Sequence, residues 1–451
     1  MSQQQKQKQQ QQQQTTILLV PDVSASFGNM TLDFCLYNAS GPRSGTMEAL
    51  QKIAISKSGA ILTKSATLLP QDGNPLPRTH HAVDQMASFN SEGLPNKGID
   101  YYISTETRMG VMQDVTTTNS NISANTKPYI VSLSGKCLND NLEMIRRIAA
   151  VNNHHDAALS TTTVPKIASM ELNLACPNII GKPIIGYDMD QMELTLRQVD
   201  LVIQECRQKY SVSSSSSSTN ANVVVPPLGI KLPPYLDFSH FHSVSQLLNQ
   251  YSHIVSYVVA INTVGNALCI DGLHMETPYI RSNHGYAGLS GPAIKYTALA
   301  NVRKLRELLL PTIDIIGVGG IGTGQDVYDM ILCGARGCQV ATQHWKEGSS
   351  ICFHRIYHEL IVLLQQKGYT NLQQQVYNQL QPYSKERANL ARPQQLQKSK
   401  VAVGTKSSTT LSSPNNDVQF YKTLSIVLTI IMAVVLSYEL QQQRNALLPT
   451  E

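Results

Sequence analysis

Cysteine occurs eight times, at positions 35, 137, 176, 206, 269, 333, 338 and 352, and never as a C-x-x-C pair. Without that spacing, neither a zinc ribbon nor a cysteine-held iron–sulfur cluster has its usual ligands. A chain of 451 residues is long enough to bury a core without disulfide staples, so reduced thiols in a cytosolic compartment are expected. Aromatic residues are scarce, with one Trp and seven Phe, and the core must be largely aliphatic. No dense Lys/Arg run exists. The net charge of +5 is spread along the chain, whereas a phosphate-backbone footprint needs clustered cations, so nucleic acid is excluded as a partner. Histidine pairs stand at 80–81 and 154–155, with His240 and His242, but no neighbouring Cys or carboxylate completes a ligand set, and no metal is expected. The one early apolar run, Ile17 to Val20, is too short for a secretory signal.

The ends of the chain are low in complexity. Residues 1–16, of which ten are Gln with two Lys and two Thr among the rest, cannot bury apolar area, which predicts disorder. Residues 17–390 form the candidate globular domain, and residues 391–420 are a polar linker rich in Ser, Thr, Asn and Lys. The stretch TLSIVLTIIMAVVLSY, 423–438, carries no charge. As a helix it would span roughly 24 Å, slightly less than the ~30 Å hydrocarbon core. With Phe420, Tyr421 and Tyr438 as interfacial aromatics and lysines before it, residues 421–440 read as a single transmembrane tail anchor that leaves the main domain in the cytosol, on a membrane the sequence does not identify. A core helix would show a polar stripe, and this stretch has none.

Between the ends, apolar runs alternate with helical patterns. Strands are predicted at 32–39, 59–66, 128–134, 169–176, 228–233, 254–262, 314–319 and 337–342. Helices are predicted at 46–56, 138–151, 189–209, 244–251, 292–309, 324–333 and 350–367. Eight strands in such alternation predict an α/β fold, the (β/α)8 TIM barrel, with an open doubly wound sheet as the alternative. Polar inserts at 116–126, 152–163 and 211–222 each follow a helix and precede a strand, which places them on the face opposite an active site.

In a barrel, functional side chains stand at the C-terminal ends of strands. Those ends carry Asn38 to Gly41, Lys64-Ser65, Ser134-Gly135, Asn173 with Cys176 and Asn178, Lys231, Asn262-Thr263, Gly319-Gly320 and Ala341-Thr342. Carboxylate pairs and histidines are absent from this set, which disfavours glycoside-type hydrolysis and a His-based triad. Amides and lysines suit a planar, anionic, hydrogen-bonding heterocycle instead. GVGGIGTG, 317–324, opens a helix after an apolar strand, so its backbone N–H groups and helix N-terminus predict a phosphate site. Its G-x-G-x-x-G match is weak alone, and its place at the seventh strand argues against a dinucleotide-binding βαβ unit.

Several long stretches in register carry a resemblance: TKSATLLPQDGNPLPR (63–78), ELNLACPNIIGKP (171–183), GIKLPPYLD (229–237), INTVGNALCID (261–271) and GVGGIGTGQDVYDMILCGA (317–335). Together they resemble the fumarate-linked, class 1A dihydroorotate dehydrogenases over about residues 33–369. The resemblance implies an FMN-binding (β/α)8 barrel, a homodimer, that oxidises dihydroorotate to orotate in pyrimidine synthesis and passes electrons to fumarate. It places the catalytic base at Cys176. A free thiol titrates near 8.5, so partial ionisation near neutrality suits it to take a proton from C5 while a hydride leaves C6. It implies substrate contacts by Lys64, Asn90, Gly93, Leu94, Asn173, Asn178, Asn262 and Thr263, since carboxamides donate and accept along a pyrimidine edge. It implies cofactor contacts by Ala39, Gly41, Lys64, Ser65, Asn173, Lys231, Gly288, Gly319, Gly320, Ala341 and Thr342, with Lys231 at the pole where reduced flavin bears negative charge.

The chain departs from the family pattern in three places. NSEGLPN has Glu92 where a methionine is usual, and an inward carboxylate there would repel an anionic substrate. Ala341 replaces a glycine, which is harmless only at negative φ. GYAGLSG, 285–291, is a looser version of a glycine-rich loop. The competing expectations are a quinone-linked, membrane-bound dihydroorotate dehydrogenase, which uses a serine base and an N-terminal membrane segment, and a tail-anchored flavin-binding scaffold without turnover.

Overall fold

The computed structural model describes residues 20–82, 87–118, 127–153, 164–175, 184–211 and 225–382. Eight strands form one parallel sheet: β1 (Leu36–Asn38), β2 (Ile61–Leu62), β3 (Tyr129–Leu133), β4 (Ile167–Asn173), β5 (Leu228–Leu232), β6 (Val255–Ala260), β7 (Asp314–Val318) and β8 (Gly337–Val340). Their order, β1-β8-β7-β6-β5-β4-β3-β2, returns the second strand to the first. The seam between β1 and β2 is closed by a side chain. The Asn38 carboxamide donates to the Leu62 carbonyl at 2.7 Å and accepts from the Leu62 N–H at 3.0 Å, and the Gly59 N–H donates to the Leu36 carbonyl at 2.9 Å. A Cβ on Gly59 would lie 1.8 Å from the Phe34 carbonyl oxygen, so only glycine allows this approach. The TIM barrel expected from the alternation is therefore the fold, and the open doubly wound sheet is not.

Eight helices follow the strands: α1 (Met47–Ala54), α2 (Thr105–Thr118), α3 (Leu138–Asn153), α4 (Met189–Ser211), α5 (Phe238–Gln250), α6 (Lys295–Leu308), α7 (Gly324–Cys333) and α8 (Ser349–Lys367). Local chemistry fixes several ends. Thr46 caps α1 by accepting from the Ala49 N–H, Thr323 and Asp326 form a capping box on α7, and Gly334 and Gly368 close α7 and α8 in the left-handed conformation. The inner helix faces pack on the outer strand faces in one continuous aliphatic core. A second, smaller cluster fills the barrel itself, where Tyr37, Ile130, Tyr257, Val259, Ile316 and Val318 meet Phe27, Met30 and Leu32. Those last three belong to a hairpin, Ala25–Phe27 with Met30–Leu32, whose Phe27 ring lies 5.3 Å from Tyr257, edge to face. The hairpin joins the apolar filling of the barrel.

Three features were not expected. The helix α2 has little apolar periodicity in TETRMGVMQDVTTT, yet it packs on α1, and a Cβ on Gly110 would collide with Met47. A four-stranded antiparallel sheet joins Val264–Leu268, Tyr286–Ser290, Ser88–Asn90 and Thr79–His81 in that order. The helix α5 also starts earlier than predicted, because Asp237 caps it by accepting from the His240 N–H at 3.0 Å. The three polar inserts and the 423–438 stretch lie mainly or wholly outside the described residues. Among those residues, no helix is long and apolar enough to cross a membrane and no metal-ligand cluster occurs.

Candidate active site

The C-terminal ends of the barrel strands and the antiparallel sheet enclose one cleft of about 1220 Å3, its open mouth included. Alternation along β4 turns Glu171 and Asn173 to the same inner side, and register sets Asn173 beside Lys231 on β5. Lys64 and Lys231 are both buried at the cleft wall. The Lys231 ammonium donates to the Gln339 carboxamide oxygen at 3.0 Å. The other end of that carboxamide donates to Glu171 at 2.6 Å and to the Tyr37 hydroxyl at 3.0 Å. Burial pushes the Lys231 amine down, against the upward pull of Glu171. Burial pushes the Glu171 carboxyl up, against Lys231 and the Gln339 hydrogen bond.

The amides are oriented. Asn173 accepts from the Ala175 N–H at 3.1 Å, Asn262 donates to the Ala175 carbonyl at 2.7 Å, and Asn90 donates to the Gly288 carbonyl at 3.4 Å. Ser65 bridges Ser40 and Ser132 through hydroxyl contacts of 3.0 and 2.9 Å. Across the sheet, a Cβ on Gly288 would lie 2.2 Å from the Thr263 hydroxyl oxygen. Gly288 does not line the cleft as expected; its absent side chain admits Thr263, which does.

The 91–94 loop has a definite polarity. Its Ser91, Glu92 and Gly93 carbonyls accept, respectively, from the Asn74 side chain (2.8 Å), the Asn74 N–H (2.9 Å) and the Gln71 side chain (2.5 Å). In a trans peptide the N–H points opposite the C=O, so the N–H groups of Glu92, Gly93 and Leu94 face away from the 71–74 segment. Gly93 and Leu94 both have positive φ, 68° and 58°, a strained conformation for leucine of the sort that collects at functional loops. Glu92 is buried against the cleft, and its carboxylate lies 3.7 Å from the Arg78 guanidinium. Arg78 is itself fixed to the Asp72 carbonyl at 2.8 Å. The inward charge expected at Glu92 is thus compensated by a residue that sequence reasoning missed.

The phosphate expectation is corrected in one respect. The Gly322 and Thr323 N–H groups donate to Asp326 at 2.9 and 2.8 Å, and the Gly324 N–H donates to Glu359 at 2.8 Å. Burial raises the Asp326 carboxyl, but hydrogen bonds from Lys295, Gly322 and Thr323 outweigh it and hold it below its usual range. The first amides of α7 are therefore engaged by acids of the chain itself. What remains at the cleft is Gly319 and Gly320, at φ of 129° and 75°, facing Ala341 and Thr342. Ala341 has φ of −116°, so its Cβ is unstrained.

Ala39, Gly41, Lys64, Ser65, Asn90, Leu94, Asn173, Lys231, Asn262, Thr263, Gly319, Gly320, Ala341 and Thr342 all line this cleft. Gly93 shapes the loop beneath it without lining it. Cys176 and Asn178 lie outside the described residues. Gln339 and Glu171 were missed, although their two-residue offsets from Ala341 and Asn173 put them on inward positions.

A barrel with an amide- and lysine-lined cleft at its C-terminal rim defines the class, and sequence comparison gives the family. The sequence pattern described as Dihydroorotate dehydrogenase matches residues 23–364, and the chain belongs to that family. It is 36% identical over 356 residues to dihydroorotate dehydrogenase (fumarate) of Saccharomyces cerevisiae, covering 79% of this chain and 98% of the yeast protein. It is 37% identical over 351 residues to dihydroorotate dehydrogenase A (fumarate) of Lactococcus lactis subsp. cremoris, covering 78% of this chain and 96% of that one. The crystal structure of DHODH in complex with ferulenol from Eimeria tenella superposes with a TM-score of 0.59 at 20% identity, covering 79% of this chain and 88% of that one. At that identity the structural likeness speaks for the fold alone.

Proposed function

We propose that this chain oxidises dihydroorotate to orotate and delivers the electrons to fumarate, with FMN as its cofactor. The carrying observation is the cleft: two buried lysines, the oriented amides of Asn90, Asn173 and Asn262, serines, and two positive-φ glycines converge at the C-terminal ends of the strands. This set fits a flavin mononucleotide. Lys231 and the Asn173 amide suit the carbonyl-bearing pole of the ring, and the Gly319-Gly320 and Ala341-Thr342 turns offer backbone and hydroxyl donors to a phosphate. FMN, when bound, supplies the hydride acceptor.

The chain's own residues perform the rest. Asn90, Asn173, Asn178 and Asn262 present donors and acceptors to the alternating C=O and N–H edge of the pyrimidine. The N–H groups of Glu92, Gly93 and Leu94 receive the substrate carboxylate, and Lys64 adds positive charge. Cys176, as thiolate, takes the proton from C5. Fumarate, a small dicarboxylate, uses the same amides in the returning half-reaction, and the relatives that share this sequence over nearly their whole length carry the fumarate designation.

Two further features belong to this reading. The antiparallel sheet and the adjoining strands carry exposed Leu268, Ile270, Leu273, Met275 and Tyr286, an apolar face suited to a homodimer contact. The charge-free 423–438 stretch serves as a tail anchor behind its polar linker, with the barrel in the cytosol.

The test is anaerobic. Dihydroorotate added to the purified full chain bleaches the visible flavin band, and fumarate restores it. FMN uptake also lowers the fluorescence of the single tryptophan, Trp345, which lines the cleft. Cys176→Ala retains the flavin but slows bleaching by roughly 10^2–10^4-fold, the usual loss for a general base. A colourless protein that takes up no FMN overturns the reading. A yellow protein that dihydroorotate cannot bleach leaves a flavin-binding barrel without this substrate.

A further inference from the structure

Under the proposed site lies a carboxylate the chemistry above does not use. Glu171 is 1% exposed, on the inner face of β4, above the apolar cluster that fills much of the barrel. An uncompensated carboxylate there would be costly, and its retention calls for a partner. That partner is reached through Gln339, itself fully buried, whose amide donates to Glu171 at 2.6 Å while its carbonyl accepts from Lys231 at 3.0 Å. The carboxylate can only accept and the ammonium can only donate, which fixes which end of the carboxamide faces which charge, and the Tyr37 hydroxyl accepts from the same amide nitrogen at 3.0 Å. Gly229, register partner of Glu171 on β5, makes room at this level: a Cβ there would strike the Tyr257 ring at 2.2 Å. Four strands thus contribute to one closed polar array, β1, β4, β5 and β8, whose upper end, Lys231, is at the cleft wall.

We propose that Glu171, acting through the oriented Gln339 carboxamide, is a positioning residue that keeps Lys231 directed at the cleft as an ammonium and so sets the reduction potential of the flavin bound there. The inference rests on the flavin reading above and adds to it a control on the cofactor's redox poise. The physical argument is one of charge. A fully buried amine favours its neutral form, and Glu171 is the charge that opposes this at Lys231. The other titratable groups here, Tyr37 in the array and Tyr257 packed beside Gly229, are pushed far up, chiefly by burial with Glu171 adding to it, and stay neutral. An ammonium beside reduced, anionic flavin stabilises it relative to the oxidised form, and a neutral amine does not.

The experiment measures the midpoint potential of bound FMN in the holoprotein across pH 6 to 9, for the native chain and for Glu171→Gln, Glu171→Asp and Lys231→Met. Glu171→Gln keeps the shape but removes the charge. Its expected effect is at least a tenfold loss in preference for reduced over oxidised flavin, about 30 mV for a two-electron couple, with partial recovery at low pH as the amine reprotonates. Lys231→Met shows the same fall without recovery at low pH, and Glu171→Asp restores the native value at least in part. A merely structural role would shift the unfolding midpoint and leave the potential in place. A Glu171→Gln holoprotein with an unchanged or higher potential overturns the proposal while leaving the flavin site intact. A native chain that binds no FMN overturns both. If Glu171→Gln does not fold, Gln339→Leu cuts the same link at its middle, and an unchanged potential there is equally fatal.

Discussion

At the scale of single residues, the site depends on charges being met. Glu92 stands at the cleft with an anionic substrate expected beside it, and its only ion-pair partner among the described residues is Arg78, at 3.7 Å and largely buried. Removing Arg78 should expose the substrate carboxylate to an unbalanced neighbour. Arg78→Ala is expected to raise KM for dihydroorotate by about tenfold, roughly 1.4 kcal/mol, and Arg78→Ala with Glu92→Met should return KM close to the native value. Steady-state kinetics of the four combinations checks this, because purely additive losses would mean that the pair is not coupled. A second residue links the same rim to stability. His344 is buried beside the cleft residue Trp345, its ring nitrogen 2.9 Å from the Ser349 hydroxyl. Burial, aided by the Arg43 cation, pushes its pKa down to about 4 from 6.5. The folded state therefore holds this imidazole neutral where the unfolded chain would protonate it. Its contribution is complete above pH 6.5 and falls away between about 6.5 and 4, by roughly 3 kcal/mol across that window. Urea unfolding at pH 7 and pH 4.5 should show that loss, and His344→Gln should reduce the difference between the two pH values.

At the scale of elements, the barrel has one seam that is not a strand ladder. β1 and β2 are three and two residues long, and the Asn38 carboxamide takes over the pairing that backbone would ordinarily supply. Asn38→Leu leaves the Leu62 N–H and C=O without their partner in a dry interior, at about 1–3 kcal/mol for each group. The expected loss is roughly 2–5 kcal/mol in the unfolding free energy, read from the denaturant midpoint with the slope unchanged. A loss below 1 kcal/mol would mean that the seam is held by its apolar packing. The same distinction explains what could be read in the sequence. The eight barrel strands are short, continuous apolar runs between helices, and that local signal survives in one chain; all eight lie within or next to the expected spans. The antiparallel sheet gave no such signal. Its central pair joins Asn90 to Gly288, segments almost two hundred residues apart, and VGNAL reads as polar and irregular. That residues at strand ends would line one cleft was legible because barrel geometry names their positions in advance. Arg78, Glu171 and Gln339 were not, because their roles exist only through partners on other strands or loops. The room that Gly288 leaves for Thr263 was not legible for the same reason: an absent side chain carries no pattern of its own.

At the scale of the whole molecule, the open question is how a barrel whose relatives carry the fumarate designation would work beside a membrane. Residues 395–419 are polar in sequence, and on the proposed anchor a tether of about 25 such residues at random-coil dimensions would reach roughly 25–30 Å. On that proposal the 423–438 stretch, sixteen residues without a charge, is the membrane segment. Anchoring of this kind fixes location and need not change the acceptor, because the proposed oxidant is a water-soluble dicarboxylate that reaches the cleft from the aqueous side. The expectation is therefore specific. Full-length protein should remain with membranes through carbonate washing, and the chain lacking residues 416–451 should be soluble without detergent. Both forms should oxidise dihydroorotate with fumarate at the same kcat and KM, since every cleft-lining residue among the described residues lies at or before Trp345. Release of the full-length protein by carbonate would remove the anchor from the account. Turnover that requires a quinone, and only in the anchored form, would instead show that membrane attachment selects the acceptor, and the fumarate assignment would then have to be given up while the dihydroorotate half-reaction stood.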